Sequence, residues 1–192
     1  HPAASTTATN NTTVPTLIIC VLLEAERSGN GQRASWYSPG PVMSVVETLG
    51  ARLADRQLVL LDGATGTELE RRGVPMDGSA WSAAALVTHP DTIRSVHQDY
   101  IRAGASIITS NSFSTARHQL EPAGLSAQFR ELNHHAVELA LEARERTDPD
   151  RPIAVAASMS SIHFDRKYMV PVAEAEANFR EQAEVLAEAN PD

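Results

Sequence analysis

Cysteine is nearly absent from this chain: Cys20 is the only one in 192 residues. A lone thiol closes no internal disulfide and suits a reducing compartment. Lysine is as scarce, with Lys167 the single example, so the 16 basic residues are otherwise arginines, set against 24 acidic ones. The net charge of -8 leaves no basic face for phosphates and no polybasic run for an anionic membrane. Nucleic-acid and membrane partners are therefore not expected. Long apolar stretches are missing too. The longest, Leu17 to Leu23, falls far short of the roughly 20 residues of a membrane helix. It follows a Thr/Asn/Ala-rich stretch without positive charge, unlike a signal peptide. A cytoplasmic location is expected. What is present, 42% hydrophobic and 21% charged residues, is the balance of a globular domain with its own core.

Composition divides the chain in two. Residues 1–42 carry Thr/Asn repeats, Gly29, Gly31 and a Ser38-Pro39-Gly40-Pro41 cluster, which reads as a disordered or non-native leader. Met43 is a plausible true start. From Val45 a strand-loop-helix pattern repeats. Leu58-Val59-Leu60-Leu61 is a short apolar run of the kind buried on both faces of a parallel sheet. Ala105-Ser106-Ile107-Ile108-Thr109 and Ile153-Ala154-Val155-Ala156-Ala157 are the second and third, about 47 residues apart. Between them, Pro90 suits a first helical turn, with Thr88 as its cap and Gly104 as its stop. Ile93, Val96, Tyr100 and Ile101 mark the buried face of that helix. Ser126 is placed to cap a longer helix with Phe129, Leu132, Ala136, Leu139 and Ala143 inward. A last helix presents Phe179, Ala183 and Leu186, and Asn190 serves as its left-handed stop.

Alternating elements of this kind build a parallel sheet with helices outside. The surplus length lies beyond the C-terminal end of each strand, where an α/β barrel carries its binding loops. Three strands are present where such a barrel needs eight. Residues 43–192 are accordingly read as the N-terminal portion of a parallel (β/α)8 TIM-type barrel, with about the first three β/α units, and the chain as truncated.

The most specific stretch is Asp62-Gly63-Ala64-Thr65-Gly66-Thr67-Glu68-Leu69, an acidic strand tip, a glycine-bearing turn and a helix starting near Thr67. Gly63 and Gly66 allow unusual dihedrals and a close approach to a ligand. The amides of the helix start can hold a carboxylate, and Asp62 can pair with an ammonium group. Two other readings stand beside this amino acid site. One is a plain strand-to-helix turn. The other is an NAD(P)-binding Rossmann-type loop, against which Leu69 stands in place of a third glycine, and Glu68 would repel a pyrophosphate.

The run Leu60 to Gly73, with Trp81-Ser82, His89-Pro90-Asp91, His97-Gln98-Asp99-Tyr100, Ala103-Gly104-Ala105 and Ile108-Thr109-Ser110-Asn111-Ser112-Phe113, resembles the opening of the homocysteine S-methyltransferase family. The resemblance continues through Ala157-Ser158-Met159 and Arg180-Glu181-Gln182, and departs at Ser160-Ser161, where the family has Gly-Pro. It implies zinc-dependent transfer of a methyl group from a small-molecule donor to the sulfur of homocysteine, giving methionine. It also implies that Asp62 contacts the ammonium group of homocysteine. Gly63, Ala64 and Thr65 would offer backbone contacts to its carboxylate, with Asn111 and Ser158 lining the pocket. The family's zinc is held by three cysteines that have no counterpart here, so no metal ligand and no catalytic residue is assigned. No zinc is expected in this chain, which alone is expected to be inactive. His89, His97, His118 and His163 are dispersed and read as surface or capping residues, and His134-His135 point apart on a helix. A non-catalytic half-barrel interaction module is the rival reading, and a homo-oligomer is possible on either.

Overall fold

The computed structural model describes residues 43–160 and 170–192. The expected leader with Cys20, and Ser161, His163 and Lys167, lie outside these. Helix α1 (Val45–Ala54) begins in a capping box, with Glu47 N donating to Ser44 Oγ and Ser44 N to the Glu47 carboxylate. Helix α2 (Thr65–Arg71) starts two residues before the expected Thr67. A 3-10 turn (Ser82–Ala84) leads into the short α3 (Ala85–Thr88) and then α4 (Pro90–Arg102). Strand β1 (Ile107–Thr109) follows, then the short α5 (Arg117–Leu120), α6 (Phe129–Thr147), strand β2 (Ala154–Ala156) and α7 (Val172–Glu188).

β1 and β2 pair in parallel, with Ile107 opposite Ala154 and Thr109 opposite Ala156. The fold is thus α/β with a small parallel sheet. The first apolar run joins it by a single bridge, Leu61 to Ile107, with Asp62 N donating to Ile107 O and Ser106 N to Leu60 O. The expectation that this run is buried on both faces fails. Leu58 is 81% exposed and Leu60 50%, because among the described residues only β1 lies beside it. On the far edge of β2, Asp192 N donates to Val155 O and Val155 N to the Asp192 carboxylate. Asn190 turns the chain to that edge at φ 55, as expected of a left-handed stop.

The core has two parts, one between the sheet and helices α4, α6 and α7, the other among helices α2, α3, α4 and α6. The expected face of α4 is buried at Ile93, Val96 and Ile101, and that of α6 at all five predicted positions. Val185 and Leu186 bring α7 onto the same core. Arginines close the opposite end of the sheet. Arg52 donates to Leu58 O, Arg151 to Ala105 O and Ile101 O, and Arg144 to Ile153 O. The Leu58, Ala105 and Ile153 carbonyls lie at the strand starts, whereas Ile101 O, at the end of α4, also accepts from Gly104 N.

Three local expectations need correction. Thr88 does not cap α4, because its hydroxyl donates backwards to Ala84 O and closes α3 instead. Ser126 does not cap α6; it opens a 3-10 turn whose carbonyl is held by Arg117, and that guanidinium also stacks on the Phe129 ring. Nor are His97 and His118 surface residues. His97 is 0% and His118 5% exposed, because each falls on a helix face turned to the core.

Candidate functional site

A cavity of about 330 Å³ opens at the C-terminal tips of the strands. Asp62, Gly63, Ala64, Thr65, Asn111 and Ser158, the six residues singled out in the sequence, all line it. They come from three separate strand ends, so their convergence follows from the parallel pairing of β1, β2 and Leu61.

Asp62 sits on the β1 side of its loop, where Thr109 donates to its carboxylate from both N–H (2.8 Å) and hydroxyl (2.9 Å). Burial nevertheless dominates and pushes its pKa up to about 6, since desolvation penalises the charged form. A partly buried carboxylate with no cationic partner among the described residues is primed for one. The backbone of Gly63 and Ala64 is open to solvent at the mouth. No side chain caps α2 at Ala64, so its first amides have no partner within the helix. The Thr65 hydroxyl is buried without a hydrogen-bond partner among the described residues.

Neither Gly63 nor Gly66 takes a positive φ; among the described residues the glycines that do are Gly73, Gly104 and Gly124. The expected unusual dihedrals are therefore absent, and what the two glycines provide is room. A Cβ on Gly66 would lie 2.7 Å from the Trp81 ring, and one on Gly63 the same distance from the Tyr100 hydroxyl. The close approach is by side chains of the protein itself.

Trp81 forms one wall, edge-on to Phe113 at 6.5 Å between ring centres. Its backbone, at φ 44 and ψ -117, is in a region that L residues rarely enter, which costs about 1–3 kcal/mol and persists only where the surroundings enforce it. Asp77 supplies part of that enforcement: its backbone exchanges both hydrogen bonds with Trp81, and its carboxylate caps Ser79 N and Ala80 N. Asn111, 3% exposed, exchanges hydrogen bonds with Ser82, accepting from its hydroxyl and donating to its carbonyl, both at 2.9 Å. Ser158 is held through its backbone. Its N–H donates to Ser112 Oγ, which in turn donates to Ser158 O. Ser112 thus supplies one more rung where the strand ladder has ended.

Beneath this floor lies a buried polar network to which the sequence pattern gave no role, although Ser112 and Gln182 fall within the family motifs. Gln182 of α7 donates to Ser112 O and to Thr115 Oγ1, and Thr115 donates to Asn133 of α6. Thr109 and Ser110, which figure in the sequence only within the strand run and the family motif and were given no site role, also line the cavity. Among the described residues no three His, Cys, Asp or Glu side chains come together as metal ligands.

The fold and the cavity together define an α/β protein with a small-molecule pocket at the C-terminal tips of parallel strands. A family model described as homocysteine S-methyltransferase matches residues 59–192, and the chain belongs to that family. It is 36% identical over 167 residues to homocysteine S-methyltransferase 2 of Zea mays, covering 77% of this chain and 48% of that protein. With homocysteine S-methyltransferase of Escherichia coli (strain K12) it shares 43% over 118 residues, 58% of this chain and 36% of the other. The crystal structure of the homocysteine methyltransferase MmuM from Escherichia coli in its metallated form superposes with a TM-score of 0.61 at 35% identity, covering 73% of this chain and 54% of that one. The chain spans about a third to a half of the length of these curated relatives.

Proposed function

We propose that this chain supplies the amino acid end of the substrate site in an enzyme that moves a methyl group onto the sulfur of homocysteine, giving methionine. The reading rests on one observation above all: Asp62 and the uncapped start of α2 face a single cavity at the strand tips. Asp62 takes the ammonium group of homocysteine. The backbone of Gly63, Ala64 and Thr65 takes its carboxylate, helped by the positive end of α2. Asn111 and Ser158 complete the floor and side of the pocket.

Supported by family membership, the same reading places these elements in a (β/α)8 barrel, with the pocket on the face where such barrels carry their sites. The family's zinc would bind the thiolate and make it nucleophilic near neutral pH. The described residues do not fit that ion, since no set of three ligand side chains converges among them. What this chain's residues do is bind and orient the substrate, fixing where its sulfur projects.

Calorimetric titration with L-homocysteine tests this. Binding is expected to weaken at least tenfold for 3-mercaptopropylamine, which lacks the carboxylate, and for 4-mercaptobutanoate, which lacks the amine. Equal affinity for all three would refute recognition by the charged ends.

A further inference from the structure

We propose that Asn111 is a positioning residue that holds the Trp81 ring as a wall of the pocket, acting through Ser82. The proposal rests on the substrate reading above only for what the wall encloses. Three observations carry it. The Asn111 carboxamide is engaged at both ends by the Ser82 hydroxyl and carbonyl, in a buried pair 29 residues apart in sequence. The residue next to that pair, Trp81, has a backbone conformation that L residues rarely adopt, and such a conformation must be enforced from outside. Gly66 leaves a recess into which the Trp81 ring fits so closely that a Cβ there would meet it at 2.7 Å. The ring therefore packs closely in that recess, and Asn111 fixes the backbone that delivers it.

The geometry separates two jobs within one side chain. Asn111 lines the cavity, yet its principal hydrogen bonds run sideways to the Trp81-Ser82 turn. Removing it should disturb the indole first. Asp62 and α2 are held by other contacts, from Thr109 and from the buried Leu69.

The chain has two tryptophans, Trp36 and Trp81, so a Trp36→Phe background makes Trp81 the only indole emitter. In that background Asn111→Leu should shift the emission to the red and raise the acrylamide quenching constant about threefold. Far-UV circular dichroism should be retained, and the dissociation constant for L-homocysteine should rise about tenfold. A folded Asn111→Leu chain with unchanged emission and quenching overturns the proposal. Should that variant not fold, Ser82→Ala removes only the hydroxyl half of the pair. It is expected to move the same optical signals in the same direction, and no movement again overturns the proposal. Failure of the Trp36→Phe parent to bind homocysteine would count against the substrate reading alone, since the optical result still decides the role of Asn111.

Discussion

Asp62 carries a conflict between stability and binding that can be measured. Its folded pKa, about 6, lies above its ordinary value near 3.8, so between those values the folded chain binds more protons than the unfolded one. On this group's account stability falls as pH rises from about 4 to 6, and the cost persists above that range. Asp62→Asn can keep both contacts to Thr109, its carbonyl accepting from the N–H and its amide donating to the hydroxyl. The variant is therefore expected to melt a few degrees higher than the parent at pH 8, while losing homocysteine binding. His97 works in the opposite direction. It is fully buried, its ring nitrogens have no hydrogen-bond partner among the described residues, and burial lowers its pKa to about 4. It must stay neutral to stay inside, so its contribution to stability is present above about 6.5 and lost as pH falls towards 4. Thermal melts across this range should show a shallower acid limb in His97→Leu and a steeper one in Asp62→Asn. A matching slope in all three proteins would remove both groups from the account.

At the scale of elements, two glycines separate room from backbone freedom. Gly104 follows α4 at φ +106, with its N–H bonded to Ile101 O and that of Ala105 to Tyr100 O, the paired pattern of a left-handed helix stop. Gly104→Ala is expected to cost about 1–2 kcal/mol, read as a lower midpoint in urea. Gly66 lies within α2 at negative φ, where alanine would ordinarily stabilise a helix by about 0.5–1 kcal/mol. Here the added methyl meets the far edge of the Trp81 ring, which can swing away. Gly66→Ala should leave the urea midpoint nearly unchanged and weaken homocysteine binding roughly tenfold. Much of this level was legible in advance. Gly104 announced its helix stop, and the apolar spacing gave the buried faces of α4 and α6. The role of Gly66 was not legible, because its neighbour in space is a tryptophan 15 positions away in a turn of irregular backbone. Thr88 and Ser126 misled for a related reason: a hydroxyl near a helix start has several acceptors within reach, and only tertiary contacts such as that of Arg117 with Ser126 O choose among them.

Across the whole molecule, the strand tips organise everything else. Three successive chain segments end at one rim, and each delivers residues to the cavity: Asp62 after the first run, Asn111 after β1 and Ser158 after β2. That convergence could be anticipated, since parallel strands must all point their C-terminal ends the same way. The supporting layer could not. Gln182, Asn133, Thr115 and Ser112 are spread over 70 residues, and nothing in their local patterns says that they meet beneath the floor. The first apolar run shows the other limit of pattern reading: its composition suits burial on both faces, yet exposure depends on which neighbours flank it.

The central claim is that this cavity grips an amino acid by its charged ends. Its most direct test is nuclear magnetic resonance titration of the isotope-labelled chain with L-homocysteine, with NADH as the competing ligand class. The account predicts saturable shifts at the amides of Gly63, Ala64, Thr65 and Thr109 with homocysteine, abolished by Asp62→Asn, and none there with NADH. Shifts at those amides with NADH, or homocysteine binding that survives Asp62→Asn undiminished, would contradict it.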